Sequence, residues 1–213
     1  MNFIPEALDE YAVKHTQAEP ELLAQLSRET YQKVLQPRML SGHYQGRLLS
    51  LLSKIIAPTR ILEIGTYTGY SALCLAEGLK PEGELHTIDI NEELTDLQKK
   101  YFDLSPFKDQ IHAHLGNAME ILPRLSGKFD LVFMDADKPN YPAYFDLIIE
   151  KIKPGGILLT DNVLWSGKVI EDIKEDDLST KALLEYNKKV SEDTRLETVL
   201  LPVRDGLSIT RIK

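Results

Sequence analysis

Cysteine, basic residues and long apolar stretches are scarce in this sequence, and each scarcity excludes a class of protein. The single cysteine, Cys74, rules out an internal disulfide, and its place in an apolar helix-like segment predicts a buried, inert thiol. Lys and Arg number 25 against 33 Asp and Glu, and this acidic balance disfavours a nucleic-acid partner. Since no apolar run approaches membrane-spanning length, the sequence predicts a soluble, cytoplasmic protein without membrane contact.

Length and composition nevertheless allow a large buried core. The 213 residues fit one domain, and 43% hydrophobic with 27% charged residues is ordinary for a globular protein. Residues 1–36 are polar and helix-like, which predicts a helical arm that could act as a lid or a dimer contact. Residues 37–213 form the predicted core, and no repeat or linker divides it.

Strand-like and helix-like segments alternate through this core. Five βα units in succession predict an α/β fold with a parallel, doubly wound sheet and helices on both faces. The pattern changes at the end, where two strands flank Asp205-Gly206, a hairpin signal that predicts an antiparallel edge. The predicted strands are 61–64, 83–90, 111–115, 128–135, 155–161, 196–203 and 207–212, and the predicted helices include 44–56, 70–76, 91–102, 118–122, 141–152 and 180–191.

A glycine turn follows the first predicted strand. Gly65 and Gly69 separate that strand from a helix, so backbone N–H groups and the helix N-terminus could face a ligand. The spacing differs from the Gly-x-Gly-x-x-Gly that seats a pyrophosphate, and Glu63, placed in the turn by this interpretation, would repel a phosphate. The turn therefore favours an adenosine-type ligand with a cationic end, such as S-adenosylmethionine. An ordinary βα turn without a ligand is an equally open alternative.

Four of the five predicted parallel strands carry an acid at the carboxyl end, where such sheets bind ligands. These acids are Glu63, Asp89, Asp135 and Asp161. A lone acid there is more often a helix cap, but four at one edge are hard to ascribe to capping. Asp89 lies about 20 residues after the last glycine, where a carboxylate binds the ribose hydroxyls of a nucleoside. Capping of the next helix is the alternative, although Asn91 already serves as its cap.

A second polar set lies at the ends of two later strands. Asp135, Asp161 and Asn162 offer only hard oxygen donors, which suit Mg²⁺, with Mn²⁺ or Ca²⁺ as alternatives, and do not suit zinc. Lys138 could be a surface lysine, but beside a metal and a sulfonium its neutral form would be favoured, making it a candidate base. Trp165 could form one wall of a planar substrate's pocket or pack in the core. The histidines show no ligand spacing and are interpreted as structural or solvated: His15, His43, His86, His112 and His114.

Along almost its whole length, the chain resembles the cation-dependent class I O-methyltransferases, the family of caffeoyl-CoA and catechol O-methyltransferases. The most specific part of the likeness is the combination of Asp135-Ala-Asp-Lys138 with Asp161-Asn162. The glycine turn alone is shared by many methyltransferases. The segments that carry the resemblance are 19–23, 39–46, 62–71, 88–89, 116–118, 122–123, 134–138, 161–167 and 202–207.

The resemblance implies methyl transfer from S-adenosylmethionine to one hydroxyl of a vicinal diol on a small catechol-type phenolic. It also implies the Rossmann-like class I methyltransferase fold with strand order 3-2-1-4-5-7-6, and a homodimer. Lys138 and Asp135 would be catalytic, and Asp135, Asp161 and Asn162 would hold the divalent cation. Trp165 and Ser166 would contact substrate. The residues that would hold the cofactor are Ser41, Glu63, Gly65, Thr66, Ser71, Asp89, Ala118 and Asp137.

Departures from the family pattern favour a small catechol over a CoA thioester. Ser41 stands where plant members have a threonine, Ser166 where they have an asparagine, and the arm lacks a clear match to their CoA-contacting lysine. Two alternatives remain open. One is a tRNA hydroxyuridine methyltransferase on the same scaffold, which the acidic charge disfavours. The other is a non-catalytic S-adenosylmethionine-binding protein, which would need neither metal nor base.

Overall fold

In the computed structural model, which describes residues 4–213, seven strands form one mixed sheet in the order β3-β2-β1-β4-β5-β7-β6. β1 to β5 are parallel, and β7 runs antiparallel to β5 and β6. The predicted α/β sheet and its antiparallel edge are confirmed. The strands are β1 (Arg60–Ile64), β2 (Glu84–Asp89), β3 (Ile111–Leu115), β4 (Phe129–Met134), β5 (Ile152–Asp161), β6 (Leu196–Leu201) and β7 (Leu207–Ile212). The α-helices are α1 (Glu6–Lys14), α2 (Glu21–Lys33), α3 (Gly42–Ile56), α4 (Tyr70–Ala76), α5 (Thr95–Leu104), α6 (Ala118–Ile121), α7 (Tyr141–Ile148) and α8 (Leu178–Glu192).

The central strands β1 and β4 are apolar because helices cover both faces of the sheet. Ile61 and Leu131 face the core under α2, α3 and α4, whereas the next residue of each strand, Leu62 and Val132, faces the core under α7 and α8. Such nearly continuous apolar strands are typical of buried parallel sheets. No helix within residues 4–213 combines the length and the apolar character needed to span a bilayer.

Two predicted helices have different boundaries in the structure. The segment predicted as a helix from residue 91 begins with a 3₁₀ turn, Glu92–Leu94, and α5 starts only at Thr95. Asn91 does act as a cap, since its Oδ1 accepts a hydrogen bond of 3.0 Å from the Glu93 N–H, but it caps the 3₁₀ turn. The helix predicted to reach Ile152 ends as α7 at Ile148, because Ile152 already pairs with β4 as the first residue of β5.

The predicted helical arm packs against the glycine turn. Its first three residues lie outside the described part of the chain, and α1 buries no side chain. The helix α2 buries Leu23, Leu26 and Thr30, and the Thr30 hydroxyl donates to the Thr68 hydroxyl at 3.3 Å. Glu29 accepts a hydrogen bond of 2.7 Å from the hydroxyl of Tyr101 in α5. These contacts attach α2 to the turn and to the helix beside it.

Three histidines meet on β2 and β3, although their sequence spacing does not predict it. His86 is the register partner of His112, and its Nδ1 lies 3.0 Å from Nε2 of His114. Burial lowers the pKa of His86 and of His114. The Glu84 carboxylate lies 3.4 Å from Nε2 of His86. Strand register thus brings together three histidines that lie apart in the sequence.

Candidate active site

A cleft of about 2190 Å³ opens at the carboxyl ends of β1, β2, β4 and β5. Its walls come from the glycine turn, from the segment before α3, and from the loops after β5 and β6. Glu63 is the one predicted site residue that does not line it. Lining the cleft are Ser41, Gly65, Thr66, Ser71, Asp89, Ala118, Asp135, Asp137, Lys138, Asp161, Asn162, Trp165 and Ser166.

The glycine turn lies directly against the end of β4. Gly65 has a φ of +102°, and a Cβ placed on it would lie 1.9 Å from the carbonyl oxygen of Asp135. Only glycine satisfies both the backbone conformation and this close approach. The Gly65 N–H donates to the carbonyl of Ile88 at 2.9 Å, which joins the turn to β2 as well. The turn thereby brings the ends of β1, β2 and β4 together at the cleft.

Asp89 fixes the backbone of this turn. Its Oδ2 accepts a hydrogen bond of 2.6 Å from the Tyr67 N–H, and its Oδ1 accepts one of 2.8 Å from the Asn91 N–H. Tyr67 has a φ of +50°, a conformation that few residues other than glycine adopt. Each carboxylate oxygen can accept more than one hydrogen bond, so Asp89 can hold the turn and a ligand hydroxyl together. Its role in ligand binding stays a prediction.

Glu63 lies within β1, one residue before the end of the strand, so its predicted place inside the turn is wrong. Its side chain is fully buried, the Thr87 hydroxyl donates to its Oε2, and its Oε1 has no partner in the described part of the chain. Burial, helped by the charges of Asp135 and Asp89, raises the pKa of Glu63 to about 8. The free protein therefore carries a largely protonated carboxyl below the cleft at neutral pH.

Replacement of Glu63 by Gln is expected to change how stability depends on pH. Between about pH 6 and pH 8 the unfolded chain has already lost this proton, while the folded protein retains it, so the parent loses stability as pH rises. The parent's free energy of unfolding should fall relative to Glu63→Gln by up to about 1.4 kcal/mol per pH unit. Urea titrations in EDTA without ligand measure this difference, and the histidines cancel because both proteins contain them. Parallel curves for the two proteins would contradict the raised pKa.

Lys138 is buried at the cleft, which excludes the surface-lysine interpretation. Its Nζ donates to Asp135 Oδ1 at 2.8 Å and to the Tyr141 hydroxyl at 2.7 Å. Tyr141 is fully buried and donates in turn to the carbonyl oxygen of Asp161 at 3.1 Å. Burial raises the pKa of Tyr141 well above its usual range, so its hydroxyl stays neutral. Tyr141 is not among the site residues predicted from the sequence, although its position three residues after Lys138 is a usable signal.

Asp161 is buried beside Asp135 at the cleft. Burial and the charge of Asp135 raise the pKa of Asp161 to about 6. Gln45 Nε2 donates to Asp161 Oδ2 at 2.7 Å, and the Asn162 N–H donates to Oδ1 at 2.8 Å. Two neighbouring carboxylates in a buried site repel each other, and a cation between them would relieve that repulsion.

The donors available to a cation here are two carboxylates and one amide. Within residues 4–213, His, Cys, Asp and Glu form no group of three or more arranged to hold a metal. Asp135, Asp161 and Asn162 offer only oxygens that suit a hard divalent cation, and such a set leaves positions for water and a ligand hydroxyl. The donor chemistry therefore fits Mg²⁺, with Mn²⁺ and Ca²⁺ as alternatives.

Asp137 is held by two residues that follow it, Asn140 and Tyr144, and not by the cation donors. Its Oδ1 accepts a hydrogen bond of 2.6 Å from the Tyr144 hydroxyl, and its Oδ2 accepts one of 2.5 Å from the Asn140 amide. Asp135 and Asp137, although two residues apart, thus face different partners. Only Asp135 belongs with Lys138 and Asp161.

The loop after β5 forms the opposite wall of the cleft in a constrained conformation. Asn162, Trp165 and Ser166 have φ values of +60°, +47° and +55°, all in the left-handed region. Residues other than glycine rarely adopt such φ values, and those that do cluster at functional sites. Trp165 lines the cleft and also packs against the core under α7 and α8, and its contact with substrate stays a prediction. The Ser166 N–H donates to Asp205 Oδ1.

A family model described as O-methyltransferase matches residues 13–213 of the chain. Caffeoyl-CoA O-methyltransferase 1 of Eucalyptus globulus is 36% identical over 203 residues, which cover 91% of this chain and 82% of the relative. The crystal structure of an O-methyltransferase from Bacillus cereus in complex with SAH has a TM-score of 0.89 and 27% identity, with 97% of each chain covered. The O-methyltransferase TomG of Streptomyces achromogenes, in complex with SAM, has a TM-score of 0.88 and 27% identity, covering 97% of this chain and 96% of TomG.

Proposed function

Because this chain belongs to the O-methyltransferase family and is a S-adenosylmethionine-dependent enzyme, we propose that it methylates one hydroxyl of a small catechol-type phenolic and requires a divalent cation. The observation that carries the proposal is the burial of Lys138 at the cleft, where its Nζ contacts Asp135. A protein that only binds the cofactor has no need of a buried amine beside two carboxylates. The name of the Eucalyptus relative, caffeoyl-CoA O-methyltransferase, supports a phenolic substrate class.

We propose that the cofactor lies against the glycine turn. When bound, S-adenosylmethionine supplies an electrophilic methyl group. Asp89, at the end of β2, would accept hydrogen bonds from the ribose hydroxyls. A cationic cofactor group above Glu63 would favour ionisation of this carboxyl, which is buried below the cleft. The other residues proposed to hold the cofactor are Ser41, Gly65, Thr66, Ser71, Ala118 and Asp137.

Asp135, Asp161 and Asn162 would hold the divalent cation. When bound, such a cation acidifies a coordinated hydroxyl and stabilises developing negative charge. Mg²⁺ is the proposed metal because these ligands are all oxygens. Burial and the charge of Asp135 raise the pKa of Asp161 even though the Lys138 ammonium lies nearby and lowers it, and this repulsion between the two carboxylates supports the assignment.

Lys138 would accept the proton of the hydroxyl that becomes methylated, at Nζ and in its neutral form. Asp135 and Tyr141 hold Nζ between them, so the amine is positioned before substrate binds. Trp165 offers an aromatic surface at the opposite wall for a planar ring, and Ser166 lies next to it. These residues would orient substrate and move the proton.

Methyl transfer from labelled S-adenosylmethionine to a panel of acceptors tests this function. The panel contains catechols, caffeoyl esters and hydroxyuridine-containing RNA, each with and without Mg²⁺. We expect labelled catechols only when Mg²⁺ is present. Labelling of RNA alone would support the tRNA alternative, and cofactor binding without any transfer would support the non-catalytic one; either result contradicts the proposal.

We also propose a homodimer, and exposed apolar residues support it. Leu51 and Ile55 are exposed on α3, and Val199 is exposed on β6, the last strand of the sheet. Exposed apolar surface and an open strand edge are features that a partner copy can cover. The cytoplasmic location and the single-domain organisation stay predictions.

Asp89→Ala is expected to weaken S-adenosylmethionine binding by about 1.5–3 kcal/mol, the value for a hydrogen bond to a charged group. Calorimetric titration of the cofactor measures this change. Asp193→Ala is a matched control, because Asp193 Oδ1 accepts a hydrogen bond of 2.9 Å from the N–H two residues later, at Arg195, as Asp89 does at Asn91. The control should bind normally. Unchanged affinity in Asp89→Ala would assign Asp89 to the turn alone.

A further inference from the structure

Gln45 and Arg204 connect Asp161 to two other walls of the cleft. Gln45 is buried in α3 and donates from Nε2 to Asp161 Oδ2 at 2.7 Å. The Arg204 guanidinium, from the loop between β6 and β7, donates to Gln45 Oε1. The same guanidinium donates to the backbone carbonyls of Ser41 and Leu40, at the start of α3. A chain of hydrogen bonds therefore runs from Arg204 through Gln45 to Asp161.

The hydrogen bonds that link Arg204, Gln45 and Asp161 can run in only one direction. An arginine only donates hydrogen bonds, and an ionised carboxylate only accepts them. The amide of Gln45 must therefore present its oxygen to Arg204 and its NH₂ group to Asp161. Without Arg204 the amide could rotate, and its oxygen would then face a carboxylate with no proton to share. Arg204 thus determines which end of Gln45 meets Asp161.

The loop that carries Arg204 is also fixed by its contacts with the segment after β5. Arg204 has a φ of +51°, which is costly for a residue with a side chain and persists only where the surroundings enforce it. A Cβ on Gly206 would lie 2.5 Å from Cγ of Leu164, so the loop packs tightly on the segment after β5. Asp205 accepts hydrogen bonds from the N–H groups of Leu164, at 3.0 Å, and Ser166. The backbone that carries the Arg204 guanidinium therefore has little freedom to move.

We propose that Gln45 and Arg204 are positioning residues for the cation site. Gln45 holds the Asp161 carboxylate in the orientation that binds the cation, and Arg204 holds Gln45. The inference rests on the proposed function, because it assumes that Asp161 is a ligand. Neither residue moves a proton or receives the methyl group. Arg204 also fixes the carbonyls of Leu40 and Ser41, so the same side chain joins the cation site to the wall beside the cofactor.

Binding of Mn²⁺, followed by electron paramagnetic resonance of the unbound ion without cofactor or substrate, tests this inference. Gln45→Leu keeps the side-chain volume but removes the donor, and should raise the Mn²⁺ dissociation constant about 10- to 100-fold, as loss of a ligand-orienting partner does. Arg204→Met should weaken Mn²⁺ binding less, and Arg204→Lys should restore part of the loss. Arg211→Met is the matched control, because Arg211 is exposed on β7 and pairs with Glu197 outside the cleft.

Three outcomes separate this inference from the proposed function. Weaker Mn²⁺ binding in Gln45→Leu and Arg204→Met, with unchanged Mn²⁺ binding in Arg211→Met, supports the inference. Parent-like Mn²⁺ binding in both variants, while Asp161→Ala binds none, overturns the inference and leaves the proposed function standing. If the parent itself binds no Mn²⁺, both the proposed cation site and this inference are overturned. Circular dichroism of each variant establishes that it is folded.

Discussion

Lys138→Met is expected to lower kcat about 10²-fold or more, the usual contribution of a general base. Methionine keeps the unbranched apolar stem and removes the amine that Asp135 and Tyr141 hold at the cleft. Cofactor affinity should change little, because Nζ contacts neither the glycine turn nor Asp89 in the structure. Mn²⁺ binding should not weaken, since removal of a cation beside Asp135 leaves that carboxylate freer to act as a ligand. Steady-state kinetics with a catechol measures kcat, and titrations measure both affinities.

The pH dependence of this variant separates loss of a base from loss of structure. Raising the pH should partly restore turnover in Lys138→Met, because a growing fraction of the diol is ionised without help. A misfolded variant would show no such recovery. Lys153→Met is the matched control: Lys153 also pairs with an aspartate, Asp130, at 2.7 Å, but does not line the cleft. If Lys138→Met turns over catechol at the parent rate at neutral pH, Lys138 has no catalytic role.

Removal of divalent cations is expected to abolish turnover, and added Mg²⁺ to restore it. A Lewis-acidic metal contributes several kcal/mol of charge stabilisation, which corresponds to a loss of at least about 10²-fold. The assay measures methyl transfer to a catechol before chelation, after dialysis against EDTA, and after readdition of Mg²⁺. Full activity after exhaustive chelation would refute the assignment of Asp135, Asp161 and Asn162 as cation ligands.

Asp161→Ala should reproduce the effect of chelation while leaving cofactor binding intact. The reason is that the Asp161 carboxylate accepts its hydrogen bonds from Gln45 and Asn162 at the cation site and not from the glycine turn. Asp146→Ala serves as control, because Asp146 is exposed on α7 and pairs with Lys189. An Asp161→Ala variant that retains Mg²⁺-dependent turnover would show that Asp161 is not a required ligand.

Most of the fold could be predicted from the sequence because its signals are local. The apolar run at Ile61–Leu62, the glycines after it and the helix that follows report strand, turn and helix within about ten residues. Repetition of that unit implies a parallel sheet, and the carboxyl ends of parallel strands must meet at one edge. For the same reason Asp89, Asp135 and Asp161 could be placed at one cleft before any contact was known. The strand order came only from the family resemblance, since local patterns do not encode it.

Only the tertiary structure decided how the site is held together. Gln45 and Asp161 are separated by 116 residues, and Arg204 and Gln45 by 159, so no local pattern links them. Their contacts depend on how α3 and the β6–β7 loop pack around the end of β5. The burial of Glu63 and the meeting of the histidines on β2 and β3 likewise follow from strand register and layer packing. Sequence therefore determined which chemical groups reach the cleft, whereas long-range packing decided which of them share a hydrogen bond, a charge or a buried environment.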